Sequence, residues 1–402
     1  MFAITVGYGI ALPILPFLIE RVAGTVNPST LSRHTGLLTG IYILAIFMFA
    51  PLWGKLSDRK GRRPVILLGL VGFAVTVALF IVADSLVLLY VSRFLSGLFA
   101  AAITPVAYAL VGDYAPSKEW RAHRFVLINI AGTAGFFVGP LLGGLAVRVA
   151  EAVFNKLTEG TFVMPFAVAA ALALVAAGAI LVLVPPRSDS PAHKSAASEQ
   201  QIGRRAVFRL WAVAFVTAVA IGAFEVGLAL RGKQVLGLDA ARIGLMFAEC
   251  SLVMFIVQAL VFSPLIKPES TRWFISPGLV ILGVSLVIVS FTNTSITMSI
   301  GVALVAASAG VLSPIVTYWV SYGTSETQGA DLGSMTAAAS LGQALGSAGG
   351  GLLFDVPVLR DAGFIAAALI VLAGLLASAG LPRLLMPTVA EPIRSACRRM
   401  RR

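Results

Sequence analysis

The amino-acid sequence predicts an all-α integral membrane protein of about twelve transmembrane helices in two six-helix halves. Three observations carry that prediction. Hydrophobic residues make up 58% of the 402 positions and charged residues only 12%, with a mean hydropathy of +0.94, whereas a soluble domain carries about 25% charge. The apolar residues fall in runs of about 20, the length that crosses a bilayer as a helix. One polar stretch near the middle of the chain divides those runs six and six.

Taken in order, the expected spans are 2–20, 36–56, 64–83, 86–110, 125–147, 162–184, 208–230, 241–263, 272–291, 295–320, 331–353 and 362–382. The run at Met1 has no basic lead-in and contains Pro13 and Pro16, so it is expected to be a membrane helix and not a cleavable signal. Together with Gly7, Tyr8 and Gly9 these prolines loosen the first span near its middle, which points to a substrate-site helix. The polar stretch 185–207, PPRSDSPAHKSAASEQQIGRRAV, opens on two prolines and is rich in Ser, Ala and charge, the composition of a flexible linker. The expected organisation is therefore a bundle over 1–184, a cytoplasmic linker over 185–207, and a second bundle over 208–402 ending in a basic tail. Such a division fits two transporter halves related by a pseudo-two-fold axis along the membrane normal.

The net charge of +12 is explained by the membrane and does not call for nucleic acid. Of the 30 Lys and Arg residues, 21 fall in the segments that share a side with Met1, and eight fall on the other side (Arg21, Arg33, Arg148, Lys156, Arg231, Lys233, Arg242 and Arg360). The remaining one, Arg93, lies within a span. By the positive-inside rule both termini are expected in the cytoplasm, and the expected location is a bacterial inner membrane. Cys250 and Cys397 make no disulfide framework and no metal-ligand spacing. The chain has no phosphate-binding GxxxxGK[ST] string. No cofactor, metal or enzymatic activity is expected, and a monomer is the default assembly. His34, His123 and His193 fall in expected loops, which argues against a histidine proton relay.

Between the second and third spans stands Gly54-Lys55-Leu56-Ser57-Asp58-Arg59-Lys60-Gly61-Arg62-Arg63. Its glycines permit a tight, closely packed turn. Asp58, at a helix end, is suited to lie against the positive N-terminus of another helix, and the arginines are placed to pair with a carboxylate. A generic positive-inside loop would account for the arginines but not for the ordered Gly, Asp and Gly. These residues resemble the GxLxDRxGRR loop of the major facilitator superfamily throughout. The resemblance implies an inner gate in which Asp58 meets the eleventh helix near Gly333 and Ser334, and Arg62 pairs with Asp113. The equivalent second-half loop, 263–272, lacks the aspartate, so the latch is expected on one side only.

The fourth span carries Arg93-Phe94-Leu95-Ser96-Gly97-Leu98-Phe99-Ala100-Ala101. An arginine in a span costs about 2.5–3.5 kcal/mol on insertion scales and is expected to face a cavity or partner; snorkelling to the nearer surface is the alternative. The pattern is similar to the superfamily's fourth-helix arginine motif, which implies a part in proton coupling. In the fifth span, Gly135, Gly139 and Gly143 recur every fourth residue, making a groove for a neighbouring helix, and Pro140 removes a backbone hydrogen bond. With Gly144 they resemble the superfamily's GxxxGPxxGG signature, which implies export. Gly342, Gly346 and Gly349–Gly351 form a looser counterpart without proline. The first span also resembles that of tetracycline and multidrug exporters among the drug:proton antiporters. It has Ile4 where tetracycline exporters carry an acid, which counts against a tetracycline-specific assignment.

Two further acids lie within spans: Glu249, near the middle of the eighth, is the first candidate proton carrier, and Glu225 in the seventh is the second. A carboxylate taken out of water favours its neutral form. Gln258 and Gln343 are expected to bond between helices. The superfamily's pathway-lining helices imply Tyr8, Thr104, Phe224, Ser313 and Tyr318 as cavity residues, a set suited to amphiphilic solutes. The expected function is proton-coupled export of a small amphiphilic molecule or drug by alternating access, with substrate, protons and lipid as partners. The alternatives are transport of another solute (a sugar, a metabolite, a metal ion or its chelate) and a non-transporting receptor or assembly partner on the same scaffold.

Overall fold

A computed structural model describes residues 1–24, 27–114, 116, 118–154, 162–184, 203–261, 268–322, 328–354 and 362–385. The chain runs through α1 Phe2–Ala23, α2 Pro28–Lys60, α3 Arg62–Ala78, α4 Leu86–Ala100, α5 Ile103–Asp113, α6 Lys118–Phe154 and α7 Val163–Leu183. It continues through α8 Arg204–Gln234, α9 Ala240–Val261, α10 Ile275–Ser290, α11 Ser295–Tyr322, α12 Gln328–Phe354, α13 Ala362–Ser378 and the short α14 Leu381–Leu384. Each expected span has its helix, and among the described residues no strand occurs. Nine of the described helical stretches are long and apolar enough to cross a membrane. The linker up to 202, the loop 262–267 and the tail from 386 lie outside the described residues, and Lys118 and Arg121 are described in backbone only.

Several helices outrun their apolar cores because hydropathy registers only the hydrocarbon layer, about 30 Å thick. Helix α2 begins at Pro28, a residue suited to the first helical position since the missing N–H has no partner there. His34 therefore lies in α2 and His123 in α6, not in loops as expected. The ring of His34 bonds to the Tyr90 hydroxyl at 2.9 Å.

The fourth span differs from expectation in another way: it is two helices. The amide of Ala102 bonds three residues back to Phe99 at 3.1 Å, tightening the end of α4. Pro105 then falls in the first turn of α5, where it lacks the donor that a continuous helix needs and is tolerated only at a fresh start.

Two buried cores form, one built mainly from α1–α7 and the other mainly from α8–α14. Helices α6 and α12 join them, each packing on one helix of its own half and one of the other. Gly135, Gly139 and Gly143 lie on the backbone of Phe2, Val6 and Ile10 in α1, while Pro140 and Gly144 lie on Gly244 and Ala241 in α9. In the second half Gly342, Gly346 and Gly350 lie on Phe215, Val219 and Ala223 in α8, while Ser347 and Gly351 lie on Gly36 in α2. The faint internal sequence repeat is thus a repeat of contacts, in matching register.

The approach is close enough to exclude side chains. A Cβ at Gly139 would stand 2.6 Å from the Val6 carbonyl oxygen, and one at Gly36 would stand 2.6 Å from the Cα of Gly351. Gly178 in α7, by contrast, has nothing within 4 Å. Gly139→Val is expected to lower stability by about 1–3 kcal/mol through overpacking, and Gly178→Ala to leave it unchanged or slightly raised through helix propensity. Thermal unfolding of the detergent-solubilised variants checks the pair; equal midpoints would remove the backbone-contact account of α6.

Candidate functional site

The site grows from the helices that meet where the two halves join. Glu225 of α8 is 6% exposed. The Tyr8 hydroxyl of α1 donates to its Oε2 at 2.7 Å, and the Gln343 amide of α12 donates to the same oxygen at 3.1 Å. Both donors converge on Oε2, and among the described residues no hydrogen bond reaches Oε1. One partner comes from each half, so the carboxylate sits at the joint itself.

Around it lies an aromatic array. The ring of Tyr8 stacks on Tyr42 with centroids 5.1 Å apart and on Phe136 at 6.0 Å. These rings come from α1, α2 and α6, held together by the glycine contacts just described. The Ser251 hydroxyl of α9 donates to the Phe136 carbonyl at 3.3 Å, a further tie between halves.

Arg93 of α4 does not snorkel, being only 2% exposed. Its guanidinium lies over the rings of Tyr42 and Phe80, 5.6 and 5.5 Å from their centroids. It shares a small cavity with Tyr8 and Tyr42, so it faces the hydroxyl that holds Glu225 without bonding to the carboxylate. Gly97, one turn on, lies against the Tyr42 backbone, as expected for a small residue on that face.

The other expected site residues are more dispersed. Glu249 in α9 is half-buried and has no hydrogen-bond or ion-pair partner among the described residues. Thr104 donates to the Met1 sulfur at 3.3 Å. Phe224 is buried in the second-half core. Ser313 is exposed, and its carbonyl accepts from Thr317 at 2.9 Å. Tyr318 is half-buried and packs edge-on against Trp319. Sequence reading missed Tyr42 and Phe136 because both sit on helices not counted as pathway-lining. The only available signal was a polar or aromatic residue in mid-span.

At the face that carries Met1, Gly61 takes φ 93°, a left-handed turn that a side chain resists, and its amide closes on Ser57 at 3.0 Å. This sharp reversal joins α2 to α3 and presents Arg62. The Arg62 Nε donates to Asp113 Oδ2 at 2.9 Å, the pairing that the resemblance implies. Its Nη1 donates to Asp58 and, at 2.7 Å, to Ser57. Arg63 reaches the Leu181 carbonyl at 2.5 Å, while Arg59 is exposed. The expected contact of Asp58 with α12 is not formed in this arrangement. The Asp58 side chain is 63% exposed, and both Gly54 and Gly333 have nothing within 4 Å of a built Cβ.

The opposite face is closed. Lys233 of α8 pairs with Glu20 of α1, donates to the Pro16 carbonyl at 3.2 Å, and lies 4.1 Å from the Phe17 ring centroid. Gln234 donates to Ser32 and to the Pro28 carbonyl in α2 at 3.1 and 3.3 Å. Arg148 of α6 pairs with Asp239 before α9 at 3.2 Å. All three ties cross between halves. Among the described residues the ion pairs that cross between halves lie at this face and none lies at the Met1 face.

A family model described as the Major Facilitator Superfamily matches residues 1–327. The chain is similar to Multidrug resistance protein 1 of Bacillus subtilis (strain 168), 26% identical over 372 residues that cover 89% of this chain and 88% of that protein. It is 25% identical over 367 residues to Quinolone resistance protein NorA of Staphylococcus aureus (strain COL), covering 89% of each. Among solved structures, a bacterial homologue of the human lysosomal transporter Spinster aligns at TM-score 0.76 and 15% identity, covering 95% of this chain and 94% of that one. The human organic anion transporter MFSD10 aligns at TM-score 0.66 and 20% identity, covering 94% and 96%.

The ties at the closed face are open to a direct test. In a background lacking Cys250 and Cys397, a cysteine placed at the buried Thr35 reports how often that face opens. Lys233→Ala is expected to speed its labelling by a soluble maleimide roughly 3- to 10-fold, the shift that about 0.7–1.4 kcal/mol of lost interaction produces. An unchanged labelling rate would show that the Lys233 contacts do not hold the face shut.

Proposed function

The chain belongs to the major facilitator superfamily, and from that premise we propose that it is a proton-coupled exporter of flat, amphiphilic small molecules in which Glu225 carries the proton. One observation carries this reading: a buried carboxylate at the joint, bonded to one donor from each half and facing an aromatic array. The names of its relatives, multidrug resistance and quinolone resistance proteins, support export of drug-like solutes. Glu249 becomes the second candidate, since among the described residues it has no partner to position it.

The distribution of Lys and Arg assigns the Met1 face to the cytoplasm and the sealed face to the exterior. The arrangement is then inward-open. With Glu225 ionised, Oε2 accepts two hydrogen bonds and the charge remains available to a cation. A substrate with an aromatic plane and a positive group would stack on the Tyr8, Tyr42 and Phe136 rings and place its charge near the carboxylate. Rocking of the bundles 1–184 and 208–402, joined by the linker 185–207, would expose the site outward. A proton taken from outside at Oε1 would cancel the charge and release the substrate. Return of the neutral form and loss of the proton inside complete the cycle.

The 54–63 loop supplies the inner gate. In the present state Arg62 holds Asp58 and Asp113 together. In the outward state the exposed Asp58 would turn to α12 near Gly333 and Ser334, toward the positive N-terminal end of that helix. Gly135, Gly139, Pro140, Gly143 and Gly144 hold α6 between the halves on which the rocking acts.

Proteoliposomes with an internal pH dye test the assignment. Glu225→Gln is expected to cut substrate-driven proton flux roughly tenfold or more, and Glu249→Gln to retain most of it. Wild-type flux in Glu225→Gln would remove Glu225 as the carrier. Asp58→Asn is expected to slow transport several-fold at unchanged protein abundance and substrate affinity; transport at the wild-type rate would refute the gate.

A further inference from the structure

Arg93 is a buried cation without a counter-ion. Its side chain is 2% exposed, and its Nε and Nη2 have no hydrogen-bond partner. Among the described residues no carboxylate lies within ion-pair distance of it. Glu225 is engaged by Tyr8 and Gln343 instead. A guanidinium keeps its charge at any working pH and offers five donors and no acceptor. Uncompensated burial of such a charge is strongly unfavourable, and the two aromatic faces beside it supply only a partial answer.

The space beside Arg93 suggests what completes the site. The guanidinium borders a small, partly open cavity with Tyr8, Tyr42, Phe80, Ser96 and Phe166, with about 10 Å³ of space, near the least that holds one water. The Tyr42 hydroxyl, 3% exposed as a residue, has no hydrogen-bond partner among the described residues and is a third free donor. The Ser96 hydroxyl is spoken for by the Arg93 carbonyl at 3.0 Å. Unbonded donors therefore outnumber acceptors, and the site carries a full positive charge. A water could satisfy part of the geometry but none of the charge. A carboxylate or phosphate, with three or more heavy atoms, demands more room there than a single spherical anion.

We propose that the Arg93 cavity binds a single monovalent anion the size of chloride, held by the guanidinium and the Tyr42 hydroxyl. Every lining group comes from the first half, so the anion stays in place as the halves move. It neutralises Arg93 and leaves Glu225 as the charge at the joint that varies through the cycle. This co-ion lies beyond the export reading above and does not depend on it.

Thermal unfolding of the full-length protein in detergent tests the site without any transport. At equal ionic strength, sodium bromide or chloride is expected to raise the midpoint saturably over sodium gluconate, whose anion cannot enter. Tyr42→Phe is expected to weaken the halide dependence about tenfold, the fold-change of one lost hydrogen bond to a charged group. Arg93→Gln is expected to abolish it, and Glu225→Gln to keep it. Should Arg93→Gln fail to fold, Tyr42→Phe and bromide anomalous scattering at the cavity still decide the matter. Equal midpoints in halide and gluconate, undiminished halide dependence in Tyr42→Phe, or bromide density only elsewhere would each overturn the proposal.

Discussion

The close backbone approach of α6 and α12 to their neighbours is the constraint on which the rest of this molecule depends. Lipid tails are as apolar as leucine, so helices in a bilayer are not driven together by burial from water and must gain from contact itself. Here the contact is made where no side chain stands between backbones: Gly139 on Val6, Gly346 on Val219, Gly36 on Gly351, Gly144 on Ala241. Each of the two joining helices divides its surface, giving one face to its own half and the next to the other half. The same strip of small residues therefore builds the halves and seams them.

The site follows from that division. Phe136 and Gln343 each follow the first glycine of their stripe, at Gly135 and Gly342, and so occupy equivalent positions in α6 and α12. One has become the ring that stacks on Tyr8, and the other the amide that holds Glu225. The frame fixes both positions while the chemistry at them differs, so a two-fold frame holds a one-sided site. The charged ties gather at one face for a related reason. Glu20, Lys233, Arg148 and Asp239 lie at the ends of the helices that carry the seams, where a small rotation about the glycine contacts moves them most.

The helices, their number and the gate loop were legible in the sequence because each is a local property: a run of apolar residues, or an ordered turn such as Gly61 between Asp58 and Arg62. The break at Ala101–Ala102 was legible in principle through Pro105, yet hydropathy passes over it, since the residues on both sides are equally apolar. The centre was harder. Depth within the span put Glu249 ahead of Glu225, and the partners drawn from α1 and α12 reverse that order. Tyr42 and Phe136 join the site through contacts across far-apart segments, which no periodicity within one helix encodes. Pairing of Arg62 with Asp113 was legible through the family resemblance, whereas the contact of Asp58 with α12 that the same resemblance implies is not formed here.

The arrangement of Arg93, Tyr8 and Glu225 shows how a membrane site can hold a guanidinium and a carboxyl group near one another without pairing them. A direct pair would be stable in low dielectric and would resist losing either member. A carrier so fixed could not take and release protons. Tyr8 stands between them, donating to the carboxylate while its ring closes the cavity beside the guanidinium. The carboxylate is held by the neutral donors Tyr8 and Gln343 and not by an ion pair with Arg93, and hydrogen bonds of that kind can be remade. Separation by a single phenol keeps Glu225 placed without an ion pair to lock its charge, the condition that the proton-carrying role proposed for it requires.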